Sequence, residues 1–169
     1  MRTGNGDAEW AVTTLFREHH LELVRLALVM VGDLTTAEDV VQDAFERLHR
    51  RWHRLRDPAS GLAYARSAVL NGCRTVHRRS AVARKHAPRL AGSLAAGPDT
   101  DTAVADRSEM LMALRGLPRR QREVLVLRYY SDPDVAEIAA TLRISPGAVR
   151  STSSRALAAL PAGLGRTQQ

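Results

Sequence analysis

The chain contains a single cysteine, Cys73, among 169 residues. No internal disulfide can form, and no group of Cys and His has the spacing of a zinc finger. A small, semi-buried role is the ordinary one for such a residue. Aromatic residues are scarce, at 4%, so any core must be built from aliphatic side chains. Lysine is nearly absent: Lys85 is the only one, and arginine carries the positive charge. No apolar run approaches the roughly 20 residues needed to cross a bilayer. Met1 to Trp10 lacks the basic start and apolar middle of a signal peptide. The expectation is a soluble cytoplasmic protein. No stretch alternates cleanly enough to be read as a strand.

What is present is apolar material and positive charge. Hydrophobic residues make up 44% of the chain, enough for folded cores, and the net charge is +7 with a pI near 10.8. Such a balance points to a polyanionic partner, most often nucleic acid. The arginine and alanine bias is also what a GC-rich genome produces, so the placement of the charge matters more than its sum.

The periodic stretches are helical. Ala37, Val40, Val41, Ala44, Phe45, Leu48, Trp52 and Leu55 fall at steps of three or four and form one stripe on a helix. Thr35, with Glu38 three residues on, reads as its capping box. An earlier helix covers Glu9 to Val31 and is closed by Gly32-Asp33. A third runs from about Pro58 to Arg79, with Asp57 as cap and Pro58 at its first position. From Ser80 to Asp106 large apolar residues are few, and Pro88, Gly92, Gly97 and Pro98 break the pattern, which reads as a flexible linker. The expected fold is all-α: two small helical domains at 7–80 and 105–164, joined by a linker at 81–104. The second holds four short helices, about Ala103–Arg115, Arg119–Tyr130, Asp134–Leu142 and Pro146–Leu160.

The last two of these form a helix-turn-helix. Ile138, Ala139 and Leu142 give the first helix an apolar edge, and small Ala139 permits close approach. Arg143 to Ser145 make the turn, with Ile144 as a plug. Val149, Ala156, Leu157 and Leu160 hold the second helix down. Ser145 is its N-cap and Pro146 its first residue. The DNA-binding candidates on it are Ser145, Pro146, Gly147, Arg150, Ser151, Thr152, Ser154 and Arg155. The helix N-terminus offers free N–H groups to phosphate. Arg150 can read guanine or bind phosphate, and Ser151 and Thr152 can bond either. No acidic residue occurs between Arg143 and Arg166.

The first unit carries two charged faces. Asp39, Gln42, Asp43 and Glu46 share an i, i+3, i+4, i+7 face, and Arg47, Arg50, Arg51 and Arg54 repeat the spacing further on. These charges form either a solvated face with intrahelical ion pairs of about 0.3–0.5 kcal/mol each, or a docking face for a basic protein. Beyond Asp57 no acidic residue occurs until Asp99. In this span Tyr64, Arg66, Asn71, Arg74, His77, Arg78 and Arg79 form a basic and polar helix with an aromatic, suited to single-stranded or melted DNA. Arg84, Lys85 and Arg89 extend it. His49 and His53 have i, i+4 spacing but no third ligand, which argues against a metal site. Glu38, Asp39 and Asp43 lack the histidine or nucleophile partners that catalysis would require. No metal, no cofactor and no catalytic residue is expected.

Three motifs match one family in order. AEDVVQDAFERL at 37–48 resembles the AEDLVQEAF-type signature of sigma region 2 in bacterial extracytoplasmic-function (ECF) sigma factors, a group within the sigma-70 family. LPRRQREVLVLRYY at 117–130 resembles the start of sigma region 4, and AEIA at 136–139 with the helix-turn-helix completes it. Together they cover most of the chain, and the likeness is to the SigE-like group common in actinobacteria. The resemblance implies that region 2 docks on the β′ clamp helices of core RNA polymerase through Asp39, Gln42, Asp43 and Glu46. It implies that the helix around Tyr64 to Arg79 recognises and helps melt the promoter element near minus ten. Region 4 would bind the β flap and read the duplex near minus thirty-five, with the linker threading toward the RNA exit path. An anti-sigma factor is a further candidate partner. In the family the turn usually holds Gly where this chain has Arg143, and an apolar residue faces the core where it has Ser153.

The competing readings are a stand-alone helix-turn-helix regulator with an N-terminal sensing or dimerisation unit, and an enzyme acting on nucleic acid. A stand-alone regulator would ordinarily dimerise on a palindrome. The second basic surface, far from the helix-turn-helix in sequence, favours the sigma factor.

Overall fold

A computed structural model of the chain describes residues 3–55, 57–86, 102–130 and 133–161. Helix α1 spans Thr3–Val31, α2 Leu34–Arg51, α3 Gly61–His86, α4 Thr102–Gly116, α5 Arg119–Tyr130, α6 Val135–Leu142 and α7 Pro146–Ala159. Short 3-10 turns at Trp52–Arg54 and Pro58–Ser60 join α2 to α3. Among the described residues there is no strand. No helix among them is long and apolar enough to cross a membrane.

Helices α1, α2 and α3 pack on one another and form the first unit. Gly32, at φ +91°, ends α1 in the left-handed region, which glycine enters without steric cost. The next residue, Asp33, is extended and caps α2, accepting from the Thr36 backbone N–H at 2.8 Å and the Thr36 hydroxyl at 2.7 Å. Those two hydrogen bonds, the hydroxyl's first, hold the Asp33 carboxyl below its ordinary range. The capping box expected at Thr35 and Glu38 is therefore corrected: the cap lies two residues earlier, because the chain turns at Gly32 and α2 starts at Leu34. The stripe of α2 behaves as its period dictates. Ala37, Val40, Val41, Ala44, Phe45 and Leu48 are buried, while Trp52 and Leu55 pack half-buried at its end.

Asp57 caps the turn before α3, accepting from the Ala59 N–H at 2.9 Å, with Pro58 at the first position. Helix α3 then crosses α2 at very short range. A Cβ built on Gly72 would stand 2.8 Å from Val40 Cγ1, so Gly72 lets the two backbones approach. Cys73 beside it is buried, the ordinary place for a lone cysteine.

In the second unit, Val124, Leu125, Val126 and Leu127 bury a continuous run of α5 against α7 and its surroundings. Asp134 and Glu137 form a reciprocal capping box that starts α6. The linker expectation needs correction at both ends. α3 continues to His86 and α4 begins at Thr102, so 80–86 and 102–106 are helical. Residues 87–101, including Pro88, Arg89, Gly92, Gly97 and Pro98, lie outside the described residues.

The two units do not stand apart. Helix α1 packs against α4 and α5, and α3 against α6. The buried apolar side chains of both units form one continuous cluster.

Candidate nucleic-acid interface

The helix-turn-helix is built as its sequence dictates. Ile138, Ala139 and Leu142 of α6 are buried, Ile144 packs half-buried in the turn, and Val149 and Ala156 of α7 are buried against them. Leu157, expected to help hold α7 down, is instead exposed, one residue beyond the buried stripe of Val149, Thr152, Ser153 and Ala156, and Leu160 is half-buried. Arg143 closes α6 in the left-handed region, at φ 55° and ψ 51°, with its N–H shared between the carbonyls of Ala139 and Ala140. An arginine thus occupies a conformation that glycine adopts at less cost.

Ser145 caps α7 through its hydroxyl, which accepts from the Ala148 N–H at 3.1 Å, and Pro146 takes the first position. Ser145, Pro146, Gly147, Arg150, Ser151, Ser154 and Arg155 are exposed, so seven of the candidates lie on the free surface of the motif. Thr152 is the exception. It is buried at 7% exposure and faces the core side of α7, which removes it from the reading surface. Ser153 is also buried, and its hydroxyl accepts from Arg128 Nη1 of α5 at 3.2 Å. The polar residue at this apolar-facing position is thus partnered across the helix contact.

On the first unit, Asp39, Gln42, Asp43 and Glu46 are all exposed along α2. Asp43 and Glu46 pair with Arg47 and Arg50 one turn on, each at 3.5 Å. Exposed pairs of this kind are worth little and leave the carboxylates available. His49 and His53 are both exposed. Among the described residues, no three His, Cys, Asp or Glu side chains gather as a metal site would need.

The basic face of α3 divides. Asn71, Arg78 and Arg79 are exposed and Tyr64 is half-buried. Arg66 is not on that face. Its side chain is buried and pairs with Glu22 of α1 at 3.3 Å, so it ties α3 to α1 rather than facing DNA. His77 points inward enough to donate from Nε2 to the Met30 carbonyl at 2.8 Å, at the end of α1. Arg74 donates from Nε and Nη2 to the two carboxylate oxygens of Glu123 on α5, at 2.8 and 2.9 Å, and from Nη1 to Asn71 at 3.0 Å. The Glu123 hydrogen bonds hold the Arg74 guanidinium more firmly protonated, against the opposing effect of burial.

Glu123 is fully buried, and sequence reasoning missed it. Arg120 also reaches it at 3.2 Å and Arg119 at 3.8 Å. The available signal was one carboxylate in a helix otherwise rich in arginines and aliphatics. Burial of a lone charge demands partners, and three arginines supply them. Between the units lies a cleft of about 500 Å³, lined by Arg47, Tyr64 and Asn71 from one side and Glu137, Thr141 and Arg143 from the other. Of the candidate DNA-binding residues, Tyr64 and Asn71 of α3 line this cleft, and those of α7 and its cap do not.

Residues 15–82 match the family model described as sigma-70 region 2, and residues 107–160 match sigma-70, region 4. The RNA polymerase sigma-E factor of Streptomyces coelicolor is 36% identical over 140 residues, covering 82% of this chain and 77% of the relative. The ECF RNA polymerase sigma factor SigM of Mycobacterium tuberculosis is 30% identical over 156 residues, covering 92% and 78%. Among solved structures, the sigma factor RpoE in complex with the anti-sigma factor NepR from Bartonella quintana aligns with a TM-score of 0.75 at 21% identity, covering 92% of this chain and 99% of that one. CnrH in complex with the cytosolic domain of CnrY aligns at 0.69 with 24% identity, covering 95% and 96%. At these identities the structures support the fold. With both regions matched in order on an all-α chain, the protein belongs to the extracytoplasmic-function sigma factors of the sigma-70 family, which bind core RNA polymerase and direct promoter-specific initiation of transcription.

Proposed function

We propose that this sigma factor docks on core RNA polymerase through the acidic face of α2 and reads a promoter at two separated elements. The observation that carries the docking assignment is the exposure of Asp39, Gln42, Asp43 and Glu46 on one side of a helix whose other side is buried. The partner that fits is the β′ clamp helices. The minus-ten side is assigned to Tyr64, Asn71, Arg74, His77, Arg78 and Arg79, with Arg66 in a supporting role. Arg78 and Arg79 supply phosphate contacts, and Tyr64 and Asn71 supply stacking and hydrogen bonding to unstacked bases.

The minus-thirty-five side is assigned to the exposed residues of α7 and its cap. Arg150 is the base-reading candidate, with a bidentate contact to guanine worth about 1–3 kcal/mol of discrimination. Ser145, Pro146, Gly147, Ser151, Ser154 and Arg155 position the helix on the backbone, and the β flap is the polymerase partner of region 4. The protein acts without catalysis of its own, in the cytoplasm. An anti-sigma factor is a candidate regulator, in keeping with the solved relatives whose complexes contain one.

The test separates the two surfaces. Asp39→Arg with Asp43→Arg is expected to weaken capture of core polymerase while binding to the minus-thirty-five duplex persists. Equal loss of both would contradict the division of labour. Arg150→Ala is expected to relax sequence preference at the upstream element, and an unchanged preference would remove Arg150 from the base-reading role.

A further inference from the structure

Little apolar surface holds the helix that faces the duplex. The buried stripe of α7 is Val149, Thr152, Ser153 and Ala156, of which Val149 alone is a large aliphatic. Leu157 is exposed and Leu160 half-buried. Apolar contact is non-directional, so a stripe this thin fixes the rotation of α7 about its axis only weakly. A hydrogen bond is directional, and Ser153 supplies one. The residue is 2% exposed, and a hydroxyl so deeply buried requires a partner. It accepts from Arg128 Nη1 of α5 at 3.2 Å.

Arg128 is itself exposed and stands just after the buried run at 124–127. Its backbone is therefore anchored while its side chain is free to reach. The one carboxylate of α5, Glu123, is already held by Arg74, Arg119 and Arg120. Among the described residues Arg128 makes no ion pair, and its contact is Ser153. The other end of the bond lies at a border. On α7, Ser153 follows Arg150 by three residues and precedes Leu157 by four, so the three are neighbours along one edge. Arg128 thus grips α7 where its core side meets its exposed, DNA-facing side.

We infer that Arg128 is a positioning residue for promoter reading: by donating to Ser153 it fixes the rotation of α7 and so decides how Arg150 meets the duplex. This rests on the minus-thirty-five assignment above. Geometry sets the sensitivity. Rotating α7 by about 20° carries an atom about 6 Å from its axis through about 2 Å. Such a shift breaks the 3.2 Å hydrogen bond and takes a base-edge contact out of range. Contacts to phosphate position the protein but carry no sequence information. Loss of the Arg128–Ser153 bond therefore lowers discrimination between bases more than it lowers overall affinity.

The test measures base preference and stability on the same variants. The full chain with core polymerase is presented with promoters randomised near minus thirty-five, and the bound sequences are counted. Ser153→Ala removes the acceptor, strands no buried group because Arg128 is exposed, and replaces a weaker helix former by the strongest. Its melting temperature is expected to equal or exceed the parent's. At the position that Arg150→Ala relaxes, its ratio of best to worst base is expected to fall about fivefold. Arg128→Met is expected to give the same fall. The double variant is expected to fall no further than either single one, since all three remove one bond. An unchanged preference in Ser153→Ala overturns the inference. So does a preference that falls only together with the melting temperature, since general loosening explains both. An Arg128→Met protein that binds every sequence more weakly by one factor, with a smaller salt slope, also overturns it, because that is the signature of a direct phosphate contact. If circular dichroism shows that Arg128→Met has lost helix, Arg128→Gln decides by the same readouts. Arg150→Ala run in parallel separates the two readings. Should it leave the preference unchanged, the minus-thirty-five assignment falls and the inference with it. Should it relax the preference while Ser153→Ala does not, the positioning role of Arg128 alone falls.

Discussion

Arg74 and Glu123, separated by 49 residues, meet through two parallel hydrogen bonds of 2.8 and 2.9 Å between a half-buried guanidinium and a fully buried carboxylate. Arg120 completes the site from within α5 at 3.2 Å. A buried carboxylate is tolerated only with such partners, and losing the last of them is far worse than losing the first.

Non-additivity is the expected signature. Arg74→Ala and Arg120→Ala each leave Glu123 one close guanidinium, so each is expected to lower stability by about 1–2 kcal/mol. The double variant leaves only Arg119 at 3.8 Å, and its loss is expected to exceed the sum by about 1 kcal/mol or more. Urea titration of the parent, the two single variants and the double checks this. Additive losses would mean that Glu123 is solvated and that the site is not buried as described.

The close crossing of α2 and α3 makes a second prediction. Gly72→Ala gains up to about 1 kcal/mol of helix propensity, but its methyl meets Val40 Cγ1 at 2.8 Å. Val40 is β-branched and stiff, so overpacking of about 1–3 kcal/mol wins. The variant is expected to melt lower than the parent. Adding Val40→Ala removes the clash, so Val40→Ala should cost less in the Gly72→Ala background than in the parent. Thermal melts of the four combinations test this, and a Gly72→Ala protein at least as stable as the parent contradicts the close approach.

The turn at Arg143 holds strain of the ordinary left-handed kind. Arg143→Gly is expected to stabilise the chain by about 1 kcal/mol, offset in part by the greater freedom of glycine in the unfolded chain. A loss of stability, measured by the urea midpoint, would mean that the Arg143 side chain makes contacts that outweigh the strain.

Much of this arrangement is legible in the amino-acid sequence. The α2 stripe, the Pro58 turn that leads into α3 and the Ser145-Pro146 start of α7 are local signals, and each lies where its spacing places it. The unusual Arg143 and Ser153 stand out as departures from the family pattern. What accommodates Ser153 is not local, since the Arg128 hydrogen bond to it joins two helices. Arg66 and Thr152 are misassigned by their polar side chains, since their spacing puts both on buried stripes, Thr152 with Val149, Ser153 and Ala156, and Arg66 with Val69 and Cys73. The partner that accommodates Arg66, Glu22 of α1, lies outside its own helix. The contact between the two units is beyond the reach of periodicity. Glu123, Arg115 and Arg122 act on groups 49, 87 and 92 residues away, and nothing in their own helices announces those partners.

Cys73 offers a chemical test of the core. Burial pushes its thiol up to about 12, so at pH 8 only about one molecule in ten thousand carries the reactive thiolate. Labelling by a thiol reagent is expected to be slow in the native protein, to speed up with urea, and to follow unfolding. Because the folded thiol holds its proton more tightly than the unfolded one, its contribution to stability is present below the ordinary thiol range. That contribution is lost as pH rises through that range toward about 12. Rapid native labelling that titrates near the ordinary thiol value, about 8.5, would contradict the burial.

The most direct test of the whole account is run-off transcription with purified sigma-free core polymerase and a library of genomic promoters. Addition of this protein is expected to produce discrete transcripts from a subset of promoters sharing two elements, and Asp39→Arg with Asp43→Arg is expected to abolish them. Core polymerase that neither binds the protein nor initiates in its presence would contradict its function as a sigma factor.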